Sequence, residues 1–176
     1  MKSLTHIDRK DYDDTWPRII SNCVRAIIVA DNKIALLYSQ KYKIYLMPGG
    51  KIDKGETEIE ALIREVKEEA GLVVIPKSIN EFGRVTTVRR GMFFEFEGEV
   101  YDERASYYTC DVEDVVLETD FTESEKRFDF SFGYFSFEQA ILANELAMKS
   151  GINWIDSETY VLKLFSKVNQ DANPIT

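Results

Sequence analysis

The chain has 176 residues, and its 22 lysines and arginines stand against 31 aspartates and glutamates, which gives a formal net charge of −9 at pH 7. This balance argues against a general nucleic-acid or anionic-membrane binder, because both need many cations to neutralise phosphates. Hydrophobic residues make up 44% of the chain, so wholesale disorder is not expected. Apolar runs fall far short of the ~20 residues that span a bilayer, and the N-terminus lacks an apolar signal region. We therefore expect a soluble, cytoplasmic protein.

The histidine and cysteine content limits the available chemistry. The sequence has one histidine, His6, and two cysteines, Cys23 and Cys110. A Ser-His-Asp triad or a Cys/His zinc site would have to use His6, which lies in a polar segment. The cysteines lie in apolar runs, where a free buried thiol is the common outcome. An enzyme of this composition is expected to use carboxylates, a metal ion or both.

The chain divides into an arm, one domain and a short tail. Residues 1–20 are polar and charged and end near Trp16-Pro17, so we expect an N-terminal arm. Residues 21–168 are predicted as a single domain, and residues 169–176 as a C-terminal tail. The sequence shows no internal repeat and no second domain boundary.

The first half of the domain predicts strands followed by a helix. Apolar runs at Val24–Ala30 and Ile34–Tyr38 flank a polar turn and predict a hairpin. A third run, Ile44–Met47, stops at Pro48-Gly49-Gly50. Next, Thr57 with Glu60 three residues on forms a capping box that begins a helix, and Gly71 ends it. The apolar stripe predicted to be buried is Ile59, Leu62, Ile63, Val66 and Ala70.

The second half predicts further strands, a long acidic loop and two helices. The strand-like runs are Phe82–Val88, Met92–Val100 and Ser106–Val112. The loop covers about Glu113–Arg127 and precedes an aromatic run, Phe128–Phe137. Ser136 with Gln139 gives a second capping box. The predicted helices are Ala140–Met148 and Tyr160–Val168. The order of strands, helix, strands and helix favours a mixed α/β sandwich over a doubly wound sheet.

Three carboxylates are clustered on the first helix. Glu65, Glu68 and Glu69 stand at i, i+3 and i+4 and therefore share one face. Like charges at this spacing destabilise a helix by about 0.2–0.5 kcal/mol per pair. Solvation with the nearby cations Arg64 and Lys67 could offset the repulsion, or a hard divalent cation could.

The segment from Gly50 to Leu72 reads Gly-x5-Glu-x7-Arg-Glu-Val-x-Glu-Glu-x-Gly-Leu. It resembles the Nudix box at every fixed position, over 23 of the 176 residues. The flanking order of hairpin, Pro-Gly-Gly turn, helix, strands and late helix is similar to the Nudix fold. The resemblance implies an α/β fold, a Nudix-like α/β/α sandwich with a mixed β-sheet.

The resemblance further implies an enzyme that hydrolyses a phosphoanhydride bond in a nucleoside diphosphate linked to another moiety. Its cofactor would be Mg²⁺, with Mn²⁺ as an alternative, and its partner a small nucleotide-type substrate. Arg64 would hold the glutamates in place by charge-assisted hydrogen bonds. The implied metal-binding positions are Glu65, Glu68, Glu69 and the carbonyl of Gly49, while Glu56 would either support the loop or bind the metal through water.

Nudix enzymes often place a further glutamate, as general base or as metal ligand, outside the box helix or late in it. The candidates here are Glu95, Glu97, Glu99, Glu118, Glu123 and Glu125. We favour Glu125 or Glu123, in the acidic loop, although plain surface charge explains any of the six equally simply.

Two arginines and a glycine are candidate substrate contacts. Arg89 and Arg90 at a predicted strand end could meet a substrate phosphate or remain solvated surface residues. Gly50 lets the backbone approach a ligand closely. The aromatic residues that either stack on a base or pack in the core are Tyr38, Tyr42, Tyr45 and those of Phe128–Phe137.

Other readings of the resemblance stay open. The alternative function is a ligand-sensing Nudix domain without catalysis, although such sensors usually carry a degraded box. A diphosphate isomerase on the same fold is disfavoured by the single histidine. The proline that marks ADP-ribose pyrophosphatases after the box is not matched at Val85–Arg89, so the substrate is left unassigned. A homodimer is compatible with the resemblance.

Overall fold

The computed structural model describes residues 1–91, 98–152 and 154–172. In chain order the strands are β1 Ser3–Asp8, β2 Arg18–Ile27, β3 Val29–Ala30, β4 Lys33–Ser39, β5 Ile44–Leu46, β6 Leu72–Val74, β7 Asn80–Arg90, β8 Val100–Thr109, β9 Val112–Val116 and β10 Phe130–Phe135. The helices are α1 Glu58–Ala70, α2 Glu123–Lys126, α3 Phe137–Lys149 and α4 Asp156–Ala172, and a 3-10 turn spans Pro76–Ser78.

The central sheet is mixed and has the strand order β1-β7-β8-β2. β1 runs parallel to β7, β7 antiparallel to β8, and β8 parallel to β2 over ten residue pairs. A second sheet has the order β10-β4-β3, with β5 also paired to β4, and β6 pairs with β9. The predicted hairpin is confirmed as β3 and β4, joined through Asp31 and Asn32 with φ of 49° and 60°. Positive φ at both turn residues is typical of the type I′ turn.

Helices cover both faces of the sheets, which confirms the α/β/α sandwich. β2 is buried on two sides, because Cys23 and Ile27 pack into one apolar cluster and Val24 and Ala26 into another. The first cluster contains residues of α3 and α4, and the second contains residues of α1. Strands buried on both faces read as continuous apolar runs, as the start of this domain does. Both cysteines are free and buried, as predicted.

The ends of α1 are those predicted, but its buried face is rotated. Thr57 and Glu60 make both hydrogen bonds of the capping box, and Gly71 ends the helix with φ of 66°. The prediction that Ile59 is buried is wrong, since Ile59 is 37% exposed. The buried face is instead centred on the helix side that carries two of the glutamates. Its members are Ala61, Leu62, Glu65, Val66, Glu69 and Ala70.

Several other boundaries differ from the prediction. The N-terminal arm contains a strand, since β1 pairs with β7, and its polar residues fit a strand at the sheet edge. The acidic loop contains β9 and α2, and the last helix begins four residues before Tyr160 and extends into the predicted tail. The second capping box is half made, because Ser136 accepts from the Gln139 amide while the Gln139 side chain donates to the Tyr45 hydroxyl.

Within the described residues, no helix is both long enough and apolar enough to cross a membrane.

Candidate active site

A glycine turn brings the strand region against α1. The amides of Val24 and Ala26 on β2 donate to the carbonyls of Gly50 and Pro48 and hold the turn in place. The Gly49 amide donates to the Glu69 carboxylate at 2.7 Å. The turn therefore fixes one end of a carboxylate on the helix by a backbone hydrogen bond.

Gly50 leaves the space that a second carboxylate occupies. A Cβ atom at this position would lie 2.5 Å from the carboxylate carbon of Glu65. Any other residue would therefore displace Glu65 or move the turn. This close approach gives a physical reason for glycine at the start of the box.

Three carboxylates from two distant segments meet beside this turn. One oxygen each of Glu65, Glu69 and Glu125 lies within 4.8 Å of the others. We call these three residues the carboxylate cluster. Glu65 and Glu69 are buried, while Glu125 is partly exposed on α2. Thr122 orients Glu125, since the Thr122 amide donates to its carboxylate at 2.7 Å. Of the loop glutamates favoured from the sequence, Glu125 thus reaches the cluster.

Burial raises the pKa of both helix glutamates in the cluster. Desolvation raises the pKa of Glu69 to about 8, against the opposing effects of Arg25 and of the Gly49 amide. Desolvation also raises the pKa of Glu65, and Arg64 opposes that shift. Three converging carboxylate oxygens are the donors that Mg²⁺ and Mn²⁺ prefer. The cluster therefore has the chemistry and the spacing to hold a divalent cation.

Arg64 forms hydrogen bonds with three glutamates of the box, one of which, Glu65, belongs to the carboxylate cluster. Its guanidinium donates to Glu56 at 2.9 and 2.8 Å, to Glu65 at 2.7 Å and to Glu68 at 3.1 Å. Arg64 holds the pKa of Glu56 near 2. Glu56 and Glu68, both predicted as metal-binding, accept hydrogen bonds from Arg64 in this structure and are not part of the carboxylate cluster. The arginine connects the glutamate-bearing face of α1 to the preceding loop, and this arrangement orients Glu65.

A buried ion pair between Arg25 and Glu158, which was not predicted from the sequence, contacts the glycine turn. Arg25 of β2 donates to Glu158 of α4 at 2.7 Å and also to the Gly49 carbonyl. Glu158 accepts from the Met47 amide at 3.2 Å. The Gly49 carbonyl, predicted as a metal ligand, is thus engaged by a cation, and metal ligation there would use its second lone pair or replace Arg25. The sequence contained one sign of this ion pair, because Arg25 is a charged residue inside the apolar run Val24–Ala30.

A cavity of about 300 Å³ opens next to the cluster, and Glu69, Glu125 and Gly50 line it. Its apolar wall consists of Leu37, Leu46, Met47, Phe128, Phe130 and Trp154. Phe128 and Phe130 stack on each other with ring centroids 5.3 Å apart. Of the tyrosines considered for base stacking, Tyr45 packs in the core, and Tyr42 contacts Phe128 and Trp154 and is not part of the described cavity lining. The cavity thus has an apolar, aromatic lining beside the carboxylates.

The two arginines predicted to contact substrate are placed differently. Arg89 is buried and lines the cavity. Arg90 is exposed, is not part of the described cavity lining, and donates its backbone amide to Asp11. Successive side chains of a strand point to opposite faces, so Arg89 and Arg90 lie on opposite sides of β7. The candidates Glu95 and Glu97 lie outside the described residues, and Glu99 is not part of the described lining either.

The fold and the site together define a three-layer α/β protein with a carboxylate cluster where a helix meets a glycine turn. Comparison with known families gives a match to the NUDIX domain over residues 22–155. The chain belongs to the Nudix family, which confirms the resemblance found in the box.

Two curated relatives share shorter segments with this chain. An uncharacterized Nudix hydrolase of Bacillus subtilis (strain 168), YvcI, is 34% identical over 61 residues, which are 35% of this chain and 37% of the relative. An ADP-ribose pyrophosphatase of Methanocaldococcus jannaschii is 42% identical over 59 residues, which are 32% of this chain and 35% of the relative. The chain thus matches little more than a third of either relative's length.

Two solved structures were also compared. A MutT/nudix family protein from Enterococcus faecalis has a TM-score of 0.48 and 17% identity, and covers 66% of this chain and 44% of its own. The E. coli ORF135 protein has a TM-score of 0.44 and 20% identity, and covers 71% of this chain and 79% of its own.

Proposed function

We propose that this chain is a divalent-metal-dependent pyrophosphohydrolase that cleaves a phosphoanhydride bond in a nucleoside diphosphate linked to another moiety. The observation that carries the proposal is the carboxylate cluster of Glu65, Glu69 and Glu125. It combines two buried carboxylates with a partly exposed one at a cavity that has an aromatic wall. The relative from Methanocaldococcus jannaschii, an ADP-ribose pyrophosphatase, supports the same reaction class.

Each part of the site has a role in this reaction. A bound Mg²⁺ or Mn²⁺ supplies positive charge that polarises the phosphoryl oxygens and lowers the pKa of the attacking water. Glu65 and Glu69 hold that cation, and Arg64 together with the Gly49 amide keeps both carboxylates in position. Without a cation, a diphosphate entering beside these carboxylates would be repelled.

Glu125 is the general base in this proposal. It is the partly exposed member of the cluster and reaches the cavity. Its carboxylate would take a proton from water as the water oxygen attacks phosphorus. The bridging P–O bond then breaks, and the bridging oxygen leaves with the second phosphate group.

The test is metal-dependent turnover against a panel of nucleoside diphosphate derivatives, beginning with ADP-ribose, in Mg²⁺, Mn²⁺ or EDTA. Turnover that EDTA abolishes is the expected result. A second readout is the Mn²⁺ affinity, measured by electron paramagnetic resonance. The Glu69→Gln variant should bind Mn²⁺ at least tenfold more weakly than wild type. Glu138→Gln is the control, because Glu138 is exposed in the first turn of α3.

The two variants of the cluster separate metal binding from proton transfer. Glu125→Gln should lower kcat by about 10²–10⁴-fold, the usual loss for a general base, and change the Mn²⁺ affinity less than Glu69→Gln does. A wild-type protein that binds Mn²⁺ but turns over nothing in the panel would favour the ligand-sensing alternative. A protein that binds no divalent metal would contradict the proposal itself.

A further inference from the structure

A second group of polar side chains lines the cavity, on strands of the central sheet rather than on the helices that carry the carboxylate cluster. Arg89 of β7 stands opposite Tyr101 of β8 in the strand register, and Glu103 follows on the same face of β8. Ser21 of β2 is opposite Glu103 in the neighbouring pair of strands. All four residues line the cavity. The central sheet therefore places a charged pair where a substrate in the cavity would lie.

Arg89 is buried without enough acceptors. The residue is 7% exposed, and among the described residues its Nε and Nη1 atoms have no hydrogen-bond partner. Its Nη2 lies 3.7 Å from the Glu103 carboxylate, which is an ion pair but is longer than a hydrogen bond. The guanidinium lies over the Tyr101 ring, 5.1 Å from its centre. A buried guanidinium that loses water and gains no acceptor is unfavourable, so the arrangement suits a ligand that supplies acceptors.

Glu103 restricts what that ligand is. A guanidinium only donates hydrogen bonds and a carboxylate only accepts them. A phosphate attracted to Arg89 would be repelled by Glu103 beside it, whereas a neutral group with an acceptor next to a donor satisfies both. The buried hydroxyl of Thr87, opposite Glu103 in the register, also has no partner among the described residues, but Thr87 is not part of the described cavity lining.

We propose that Arg89 and Glu103 form a specificity subsite that binds a neutral donor–acceptor edge of the substrate's nucleoside. The base and the ribose hydroxyls both offer such an edge. The inference rests on the proposed function, because that function makes the ligand a nucleoside. Phe128, Phe130 and Trp154 line the same cavity and provide aromatic side chains that can contact the base.

The test uses uncharged probes, so that it does not depend on metal or on turnover. Adenosine, guanosine, cytidine and uridine are titrated by ligand-observed NMR in EDTA against wild type, Arg89→Met and Glu103→Gln. Binding of at least one nucleoside to wild type, weakened at least tenfold in both variants, is the expected result. The control is Arg104→Met, because Arg104 is exposed and pairs with Asp102 rather than with the cavity residues.

Further arms identify which part of the nucleoside is bound. Loss of affinity in the 2′,3′-dideoxy form of the tightest nucleoside, with binding of methyl β-D-riboside, assigns the subsite to the ribose hydroxyls. Retained affinity in the dideoxy form assigns it to the base. The near-isosteric Glu103→Gln keeps the test decisive if Arg89→Met fails to fold.

Failure of this inference is distinguishable from failure of the proposed function. Nucleoside binding that depends on Arg89, in a protein with no metal-dependent turnover, supports the subsite and counts against hydrolysis. Conversely, metal-dependent turnover without nucleoside binding, or with equal binding in all variants, overturns the subsite. Pyrophosphate binding in EDTA that is lost in Arg89→Met, without nucleoside binding, makes Arg89 an anion site and also overturns it.

Discussion

The glycine at the start of the box allows a sharp steric test. A Cβ atom on Gly50 would lie 2.5 Å from the Glu65 carboxylate, whereas ordinary contacts begin near 3.4 Å. Gly50→Ala should therefore push that carboxylate away by about 0.9 Å. A misplacement of ~1 Å in a catalytic constellation costs on the order of 100-fold in rate. We expect Gly50→Ala to lose about that factor in kcat and to bind Mn²⁺ more weakly.

A second glycine variant separates this clash from backbone strain. Gly55 has φ of 89°, and a Cβ atom there would meet nothing within 4 Å. Gly55→Ala should lower the free energy of unfolding through strain and leave the Mn²⁺ affinity unchanged. Both variants are compared by Mn²⁺ titration, turnover and thermal unfolding. Wild-type metal affinity and turnover in Gly50→Ala would refute the reasoning that the turn positions Glu65.

Two further predictions concern the buried charges. In EDTA, stability should fall as pH rises from about 5 to 8, because burial raises the pKa of Glu69 from 4.5 to about 8 and the folded protein keeps a proton that the unfolded chain releases. Thermal melts with EDTA or Mg²⁺ check this, with stabilisation by Mg²⁺ growing over the same range; a flat EDTA profile contradicts it. Arg25→Met should cost about 3–5 kcal/mol of unfolding free energy, because it leaves Glu158 buried without its cation. Adding Glu158→Gln should recover much of that loss in denaturant melts, and a double variant as unstable as the single one would show that the charge is not the cause.

Features set by neighbouring residues were predictable from the sequence. Thr57, Glu60 and Gly71 set the ends of α1 through hydrogen bonds and backbone conformation within a few residues. The spacing of the glutamates likewise places them on one helix face. Which of them is buried was not predictable, because Glu68 and Glu69 are neighbours in sequence and differ only in how the helix sits against the turn.

Features that depend on distant segments were accessible only in part. Glu125 joins the cluster across more than fifty residues, and local patterns left it equivalent to Glu123, which pairs with Lys126 on the surface. The contact between Arg25 and Glu158 spans 133 positions and joins a strand to the last helix. Sequence periodicity carries no information about such pairings. The strand β1 was missed for a similar reason, since its hydrogen bonds go to β7 in the middle of the chain.

The extent of the family match has a practical consequence for protein production. Residues 22–155 contain the box and the cavity's aromatic wall, but β1, the start of β2 and all of α4 lie outside them. Expression of that segment alone would leave one edge of β7 without its partner strand and would leave Arg25 facing a cavity from which Glu158 had been removed. The folding unit that carries this site is therefore larger than the segment that matches the family, and truncated fragments should begin before Ser3 and extend through Ala172.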